Sequence, residues 1–292
     1  MDGGSTRSIL IGILVLAKRR LTAPQIVALG RPLRLSATNI KSHLTRLTAE
    51  GVLSRTGSRR SQRYGLSAER ERIAQRMAAS LAEQPAETWT GEWVMIATQL
   101  TRDRSSRERL RAALWFDGFR PCAPGTYLRP AWPLPWAIDR ARALAPTALC
   151  LVGTLAGTIR LDPVQKMYGL DALDRRARAL SAQIEAQRRD ARNPAAAFRA
   201  RLHVGGLVAR LVAHDPRLPP SIWERRRGLQ ELREAFRSFE TRIGALADRF
   251  VDGVIGSNES VRAERNSPVP KTRKQRVTRT TKRPAAGRRA ER

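Results

Sequence analysis

Apolar positions in the first fifty residues fall in three short blocks with helical spacing. Residues 9–17 are almost continuously apolar and predict a buried first helix over 7–17. Thr22 suits the N-cap of a second helix, with Pro24 in its first turn, Ile26, Val27 and Leu29 inward, and Gly30 at its end. A turn over 31–35 follows, and Ser36 suits the N-cap of a third helix. In that helix Ile40, Leu44 and Leu47 recur at i, i+4 and i+7 and face the core, with Ala37 on the same side and His43 packed beside the stripe. The opposite side carries Thr38, Asn39, Lys41, Ser42, Thr45 and Arg46. Gly51 stops the helix. Two strands, 52–55 and 61–66, then enclose a basic tip at 57–60.

Further along, residues 68–83 predict a helix on Ile73, Met77 and Leu81, broken at Gln84-Pro85. A new pattern begins near Trp89: strand 91–98, helix 105–117, strands 118–122 and 125–129, helix 136–144 and strand 148–154. That β-α-β-β-α-β order is the ferredoxin-like split unit, whose edges suit pairing with a second copy. From 164 the pattern is helical, with apolar stripes over 164–191, 198–214 and 229–250. Past Gly256 it becomes Pro, Thr, Lys and Arg without periodicity, the composition of a disordered tail. The expected fold is therefore α+β and multidomain. A winged helix-turn-helix occupies 1–67, a linker helix 68–88, a ferredoxin-like dimerisation domain 89–160, a helical domain 161–255 and a disordered basic tail 256–292.

Charge sharpens this picture. The chain of 292 residues carries 55 Lys and Arg against 26 Asp and Glu, a formal net charge of +29. Such a balance calls for an anionic partner. Residues 1–68 hold twelve Lys/Arg and two acids, and 256–292 hold twelve and three. Cys122 and Cys150 have no metal-site spacing and read as reduced core thiols. Three histidines without a Cys or carboxylate grouping argue against zinc. The run 9–17 is too short to span a bilayer, and Lys18-Arg19-Arg20 stands where a signal-peptide cleavage site would be. The expectation is a cytoplasmic, nucleoid-associated protein with no cofactor and no membrane association.

The chemistry follows from helix three and the tip after it. Small polar and cationic side chains on one helix face can bond phosphates, and Asn, Lys and Arg can read purine edges. Arg59, Arg60 and Arg63 on a hairpin suit a phosphate backbone or an adjacent minor groove. The expected partner is double-stranded DNA. Two alternatives stand beside this. One is a charge-driven binder indifferent to sequence. The other is a metal-dependent nuclease on the ferredoxin-like unit, as in CRISPR-associated endoribonucleases. That work needs a carboxylate at the end of the first strand, where Ala97-Thr98-Gln99-Leu100 supplies none and Asp103 lies beyond. The expectation is that the chain is not an enzyme.

Several stretches resemble the PaaX family of bacterial repressors of aromatic-acid degradation. I-K-S-H-L-T-R-L-T-A-E-G-V-L (40–53) is similar to its recognition helix, and Arg59-Arg60-Ser61 with Tyr64 to its wing. W-T-G-E-W-V-M-I (89–96) is similar to the start of its central domain. L-R-A-A-L-W-F-D-G-F-R-P-C-A-P-G-T-Y-L-R-P (110–130) and H-D-P-R-L-P-P (214–220) resemble further family segments. The chain departs from the family at Lys41, at S-I-W-E-R-R-R (221–227) and in its basic tail. The resemblance implies a homodimeric repressor on a palindromic operator, released by an aryl- or acyl-coenzyme A thioester such as phenylacetyl-CoA. A pocket for that effector should combine Arg with aromatics, and Tyr127, Arg129, Trp132, Trp136, Tyr168 and Trp223 have the right composition.

Overall fold

The computed structural model describes residues 5–58, 61–82, 89–98, 103–132, 139, 142–143, 146–155, 161–186, 193–223 and 227–266. The predicted helix 136–144 falls almost wholly outside these residues, as does the chain beyond Asn266. The described part mixes helices with two small antiparallel sheets.

The first unit forms where the local signals put it. α1 (Thr6–Ala17) buries Leu10, Ile13, Leu14 and Ala17 at i, i+3, i+4 and i+7. β1 (Leu21–Thr22) leads into α2 (Ala23–Gly30) through a capping box: Gln25 N donates to Thr22 Oγ1 at 3.4 Å and Thr22 N to Gln25 Oε1 at 2.8 Å. A 3₁₀ turn over Arg31–Leu33 precedes α3 (Ala37–Ala49). β2 (Leu53–Thr56) and β3 (Arg63–Leu66) make a hairpin, and β1 adds on the far side, giving the order β1-β3-β2.

α4 (Ala68–Leu81), capped by Ser67, runs to the second sheet. That sheet comprises β4 (Glu92–Ala97), β5 (Arg120–Ala123), β6 (Thr126–Pro130) and β7 (Leu149–Thr154) in the order β5-β6-β4-β7, every pairing antiparallel. Between β4 and β5 the chain forms α5 (Arg104–Phe116). Leu114 of α5 and Phe119 pack with Val94 and Ile96 of β4 in a small separate core.

The helical end differs from the periodicity in two places. The single helix expected over 164–191 is two, α6 (Leu161–Tyr168) and α7 (Leu170–Ala186), because Gly169 adopts φ 63° between them. α8 (Pro194–Val212) begins at the Asn193 cap. α9 (Arg227–Asn266) is 40 residues long and runs well past 250, so residues 256–266 are helical and not part of an irregular tail. Its apolar stripe explains the extension: Val251 and Ile255 are buried where the 229–250 reading stopped, continuing Phe239, Ile243 and Ala247.

The main core is shared. One buried cluster joins Leu10, Ile26, Leu29, Ile40, Leu44 and Leu47 of the first unit to residues of α7, α8 and α9. α1 lies on α8 so closely that a Cβ at Gly12 would stand 2.8 Å from Leu202 Cδ2. α2 packs on α9, and Arg19 pairs with Asp252 of α9. α8 and α9 are tied by Arg201, which bonds Glu240 at 2.7 Å and Asp248 at 2.6 Å. The first unit is thus seated on the helical body.

A buried polar junction holds α4 and the second sheet to that body. Arg76 of α4 pairs with Asp117, and its guanidinium lies 4.3 Å from the Phe116 ring centroid. Arg233 of α9 donates to the Ser80 carbonyl at 2.9 Å and stands 3.5 Å from buried Asp215. Burial brings the Arg76 pKa down to about 10, opposed by the attraction of Asp117. Its charge is kept by its partner.

Candidate nucleic-acid interface

The face of α3 opposite the core is built by one cap and one stripe. Ser36 Oγ accepts from Asn39 N at 3.2 Å, which starts the helix. Ile40, Leu44 and Leu47 are all but fully buried, each contributing about 1.5–3 kcal/mol and fixing the helix's rotation. Thr38, Asn39, Lys41, Ser42, Thr45 and Arg46 are consequently all exposed, on neighbouring turns of one surface. His43 is partly buried beside the stripe, and its Nδ1 is enclosed without a hydrogen-bond partner.

The polar residues are not equally free. Asn39 Nδ2 donates to Thr6 Oγ1 at 3.2 Å, and Thr45 Oγ1 donates back to the Lys41 carbonyl at 3.2 Å. Arg46 Nε pairs with Glu50 at 3.3 Å, and Glu50 also holds Arg7. The Arg46 side chain is 64% exposed, so this pair is worth at most about 1 kcal/mol and a phosphate can compete for it. Glu50 is the only carboxylate on the helix and caps its far end.

Beside α3 stands the hairpin. Thr56 and Arg63 close its register. Gly57 takes φ 89°, and a Cβ there would stand 2.7 Å from the Ser61 carbonyl oxygen, so the turn needs glycine. Ser61 N donates to the Ser58 carbonyl at 2.9 Å, and the two hydroxyls meet at 2.8 Å. Arg59 and Arg60 lie outside the described residues. Arg63 belongs to the middle strand, half-buried, with Nη1 donating to the Arg20 carbonyl at 3.5 Å. It faces Thr56 in the last pair of the ladder, next to the tip.

Sequence reasoning passed over other cations here. Arg31 and Arg34 are exposed in the turn that leads into α3, and Arg34 is held at φ 58°. Arg55 on β2 faces solvent beside Tyr64 of β3; with the Gln62 amide oriented toward it, its Nε donates to Gln62 Oε1 at 2.9 Å. Their signal was positional: they flank the helix start and the tip.

The aromatic and arginine residues expected around an effector have other surroundings. Arg129 is buried, and its guanidinium donates to the carbonyls of Asp117 at 2.5 Å, Trp132 at 2.7 Å and Pro130 at 3.1 Å. Tyr168 is buried, donates to the Leu128 carbonyl at 3.2 Å, and has its pKa pushed up by desolvation. Arg120 lies between Tyr168 and Trp115, 3.7 Å from the Trp115 ring centroid. Trp132 and Trp223 are buried, and Tyr127 is partly buried against the small core. Trp136 lies outside the described residues. Among the described residues an open apolar groove of about 510 Å³ lies elsewhere, lined by Glu108, Arg111, Ala112, Trp115, Phe116, Ala213 and His214. Asp103, the carboxylate considered for catalysis, caps α5. Hydrogen bonds from Ser106 and Ser105 hold its pKa down at about 2.

The fold has likenesses among solved structures. No protein-family model matches the chain, and no curated protein matches it. The uncharacterized protein Rv0674 from Mycobacterium tuberculosis has a similar structure, with a TM-score of 0.56 at 22% identity, over 84% of this chain and 97% of that one. That likeness concerns the fold. Among the described residues no helix is long and apolar enough to cross a membrane.

Proposed function

We propose that the chain is a sequence-specific DNA-binding regulator, a homodimeric repressor of the PaaX type acting at the nucleoid. The carrying observation is the split of α3: one side is sealed by Ile40, Leu44 and Leu47, the other presents Lys41, Arg46 and four small polar side chains to solvent. In this reading α1, α2 and α3 with the β1-β3-β2 sheet form a winged helix-turn-helix, and α3 enters the major groove. The sheet order and the short turn before α3 support it. The hairpin is the wing, and Arg31, Arg34 and Arg55 add phosphate contacts. The β5-β6-β4-β7 order supports a ferredoxin-like central domain. An aryl- or acyl-CoA thioester is the proposed releasing ligand, on the family resemblance alone.

The test is selection of a site from random duplexes, followed by competition. The expected result is a recovered palindrome bound far more tightly than random DNA at moderate salt, and released by a thioester but not by free coenzyme A. The net charge of +29 favours a second reading, binding by charge alone. Equal affinity for every duplex would establish that reading and remove the first.

A further inference from the structure

The second sheet has two outer strands, and they are built differently. β5 contains Pro121, and its register breaks in a bulge between Pro121 and Ala123. Proline offers no N–H and a bulge twists the edge away, two devices that block pairing with another chain. β7 has neither. Its register against β4 is regular from Leu149↔Ala97 to Thr154↔Glu92, and among the described residues no strand pairs with its outer edge. On and just after this strand Leu149 is 60% exposed, Leu151 46%, Val152 43% and Leu155 43%. Among the described residues Val15 is the one other large apolar side chain counted as exposed.

Charge narrows the choice of partner. In a chain that is 28% charged, the run 143–159 has no Asp, Glu, Lys, Arg or His. Two molecules carrying +29 each repel one another over most of their surfaces, so an uncharged strip is where they can approach. A partner of opposite charge would instead be met by cations. An antiparallel strand edge is also complementary to itself: a two-fold rotation sets each N–H against a C=O.

We propose that β7 is the dimer contact. Two copies pair β7 with β7 antiparallel about a two-fold axis, making one sheet of eight strands. Leu149 and Leu151 meet their counterparts on the face they share with Met95, and Val152 on the face it shares with Val94. This names the surface behind the dimer invoked above, and it is read without DNA, so its failure leaves the assignment of α3 standing.

The experiment is sedimentation of the full chain at high salt, free of nucleic acid. Wild type is expected at twice the chain mass of 32.6 kDa, and Leu149→Lys with Leu151→Lys at the single-chain mass with an unchanged melting curve. A second arm removes Cys122 and Cys150 as serine and places single cysteines at 149, 151, 152 and 155 in turn. Oxidation should cross-link strongly at the position nearest the axis and fall off on either side. A wild-type monomer at tens of micromolar, a dimer that survives the double lysine variant, or cross-linking that ignores position each overturns the proposal.

Discussion

Replacing Lys41 and Arg46 together by alanine separates recognition from folding. Both side chains are exposed, and neither lies in the Ile40-Leu44-Leu47 stripe. The ion pair lost with Arg46 is solvent-exposed, and Glu50 keeps Arg7 as a partner. The folding cost is therefore at most about 1 kcal/mol, a shift of roughly 2–4 °C in Tm. Alanine also favours the helix. Binding is affected differently. If the two cations contact base edges, each contributes about 1–3 kcal/mol, or roughly 2–6 kcal/mol per head. If they contact phosphates, each neutralised phosphate adds about 0.9 to the slope of log K against log salt, so a two-headed complex should lose about 3.6. Footprinting and a salt titration on the selected site distinguish these cases. A double variant that melts like wild type and keeps both its affinity and its salt slope refutes the placement of α3 in a groove.

Other expectations follow from single contacts. Arg76→Ala should destabilise the chain by about 3–5 kcal/mol in urea unfolding, because it takes the paired guanidinium away from the buried Asp117 carboxylate; a change under about 1 kcal/mol would place that pair in water. Thr22→Ala removes the α2 capping box and should cost about 1 kcal/mol by the same measurement. Gly57→Ala should weaken binding at the flank of the site while Tm changes little, since the strain of φ 89° and the Ser61 contact falls on the tip; unaltered binding would mean that the hairpin does not touch DNA. The depressed Asp103 carboxyl stabilises the fold above its unfolded pKa of about 3.9. That contribution is lost as pH falls through about 2. Asp103→Ala should therefore flatten the acid limb of a pH–stability profile, and identical limbs would show that the cap carries no such weight.

Local signals in the sequence were sufficient for the first unit. The Thr22 and Ser36 caps and the α3 stripe depend on residues within one or two turns of each other, so periodicity exposes them. Two helical boundaries were misread for reasons equally local. Gly169 needs only one left-handed residue to split a stripe whose apolar spacing continues across it. The stripe of α9 runs on through Val251 and Ile255, where composition alone pointed to a tail. The residues expected around an effector were legible as types but not as environments. Arg129 looks like an anion ligand in sequence, yet its donors meet carbonyls at Asp117, Pro130 and Trp132, contacts set by how the loops before β5 and after β6 close. Nothing in local spacing announces that α1 will lie on α8, because the complement of Gly12 is Leu202.

That seating has a practical meaning for how the protein can be divided. A fragment ending after α4 would keep every residue of the proposed reading head and still lose the surfaces of α8 and α9 that cover its apolar helices. It should aggregate or melt early where the full chain is stable. The head is accordingly not a detachable cassette: moving it onto another protein would require bringing the helical body with it, or rebuilding the faces of α1 and α2 for water.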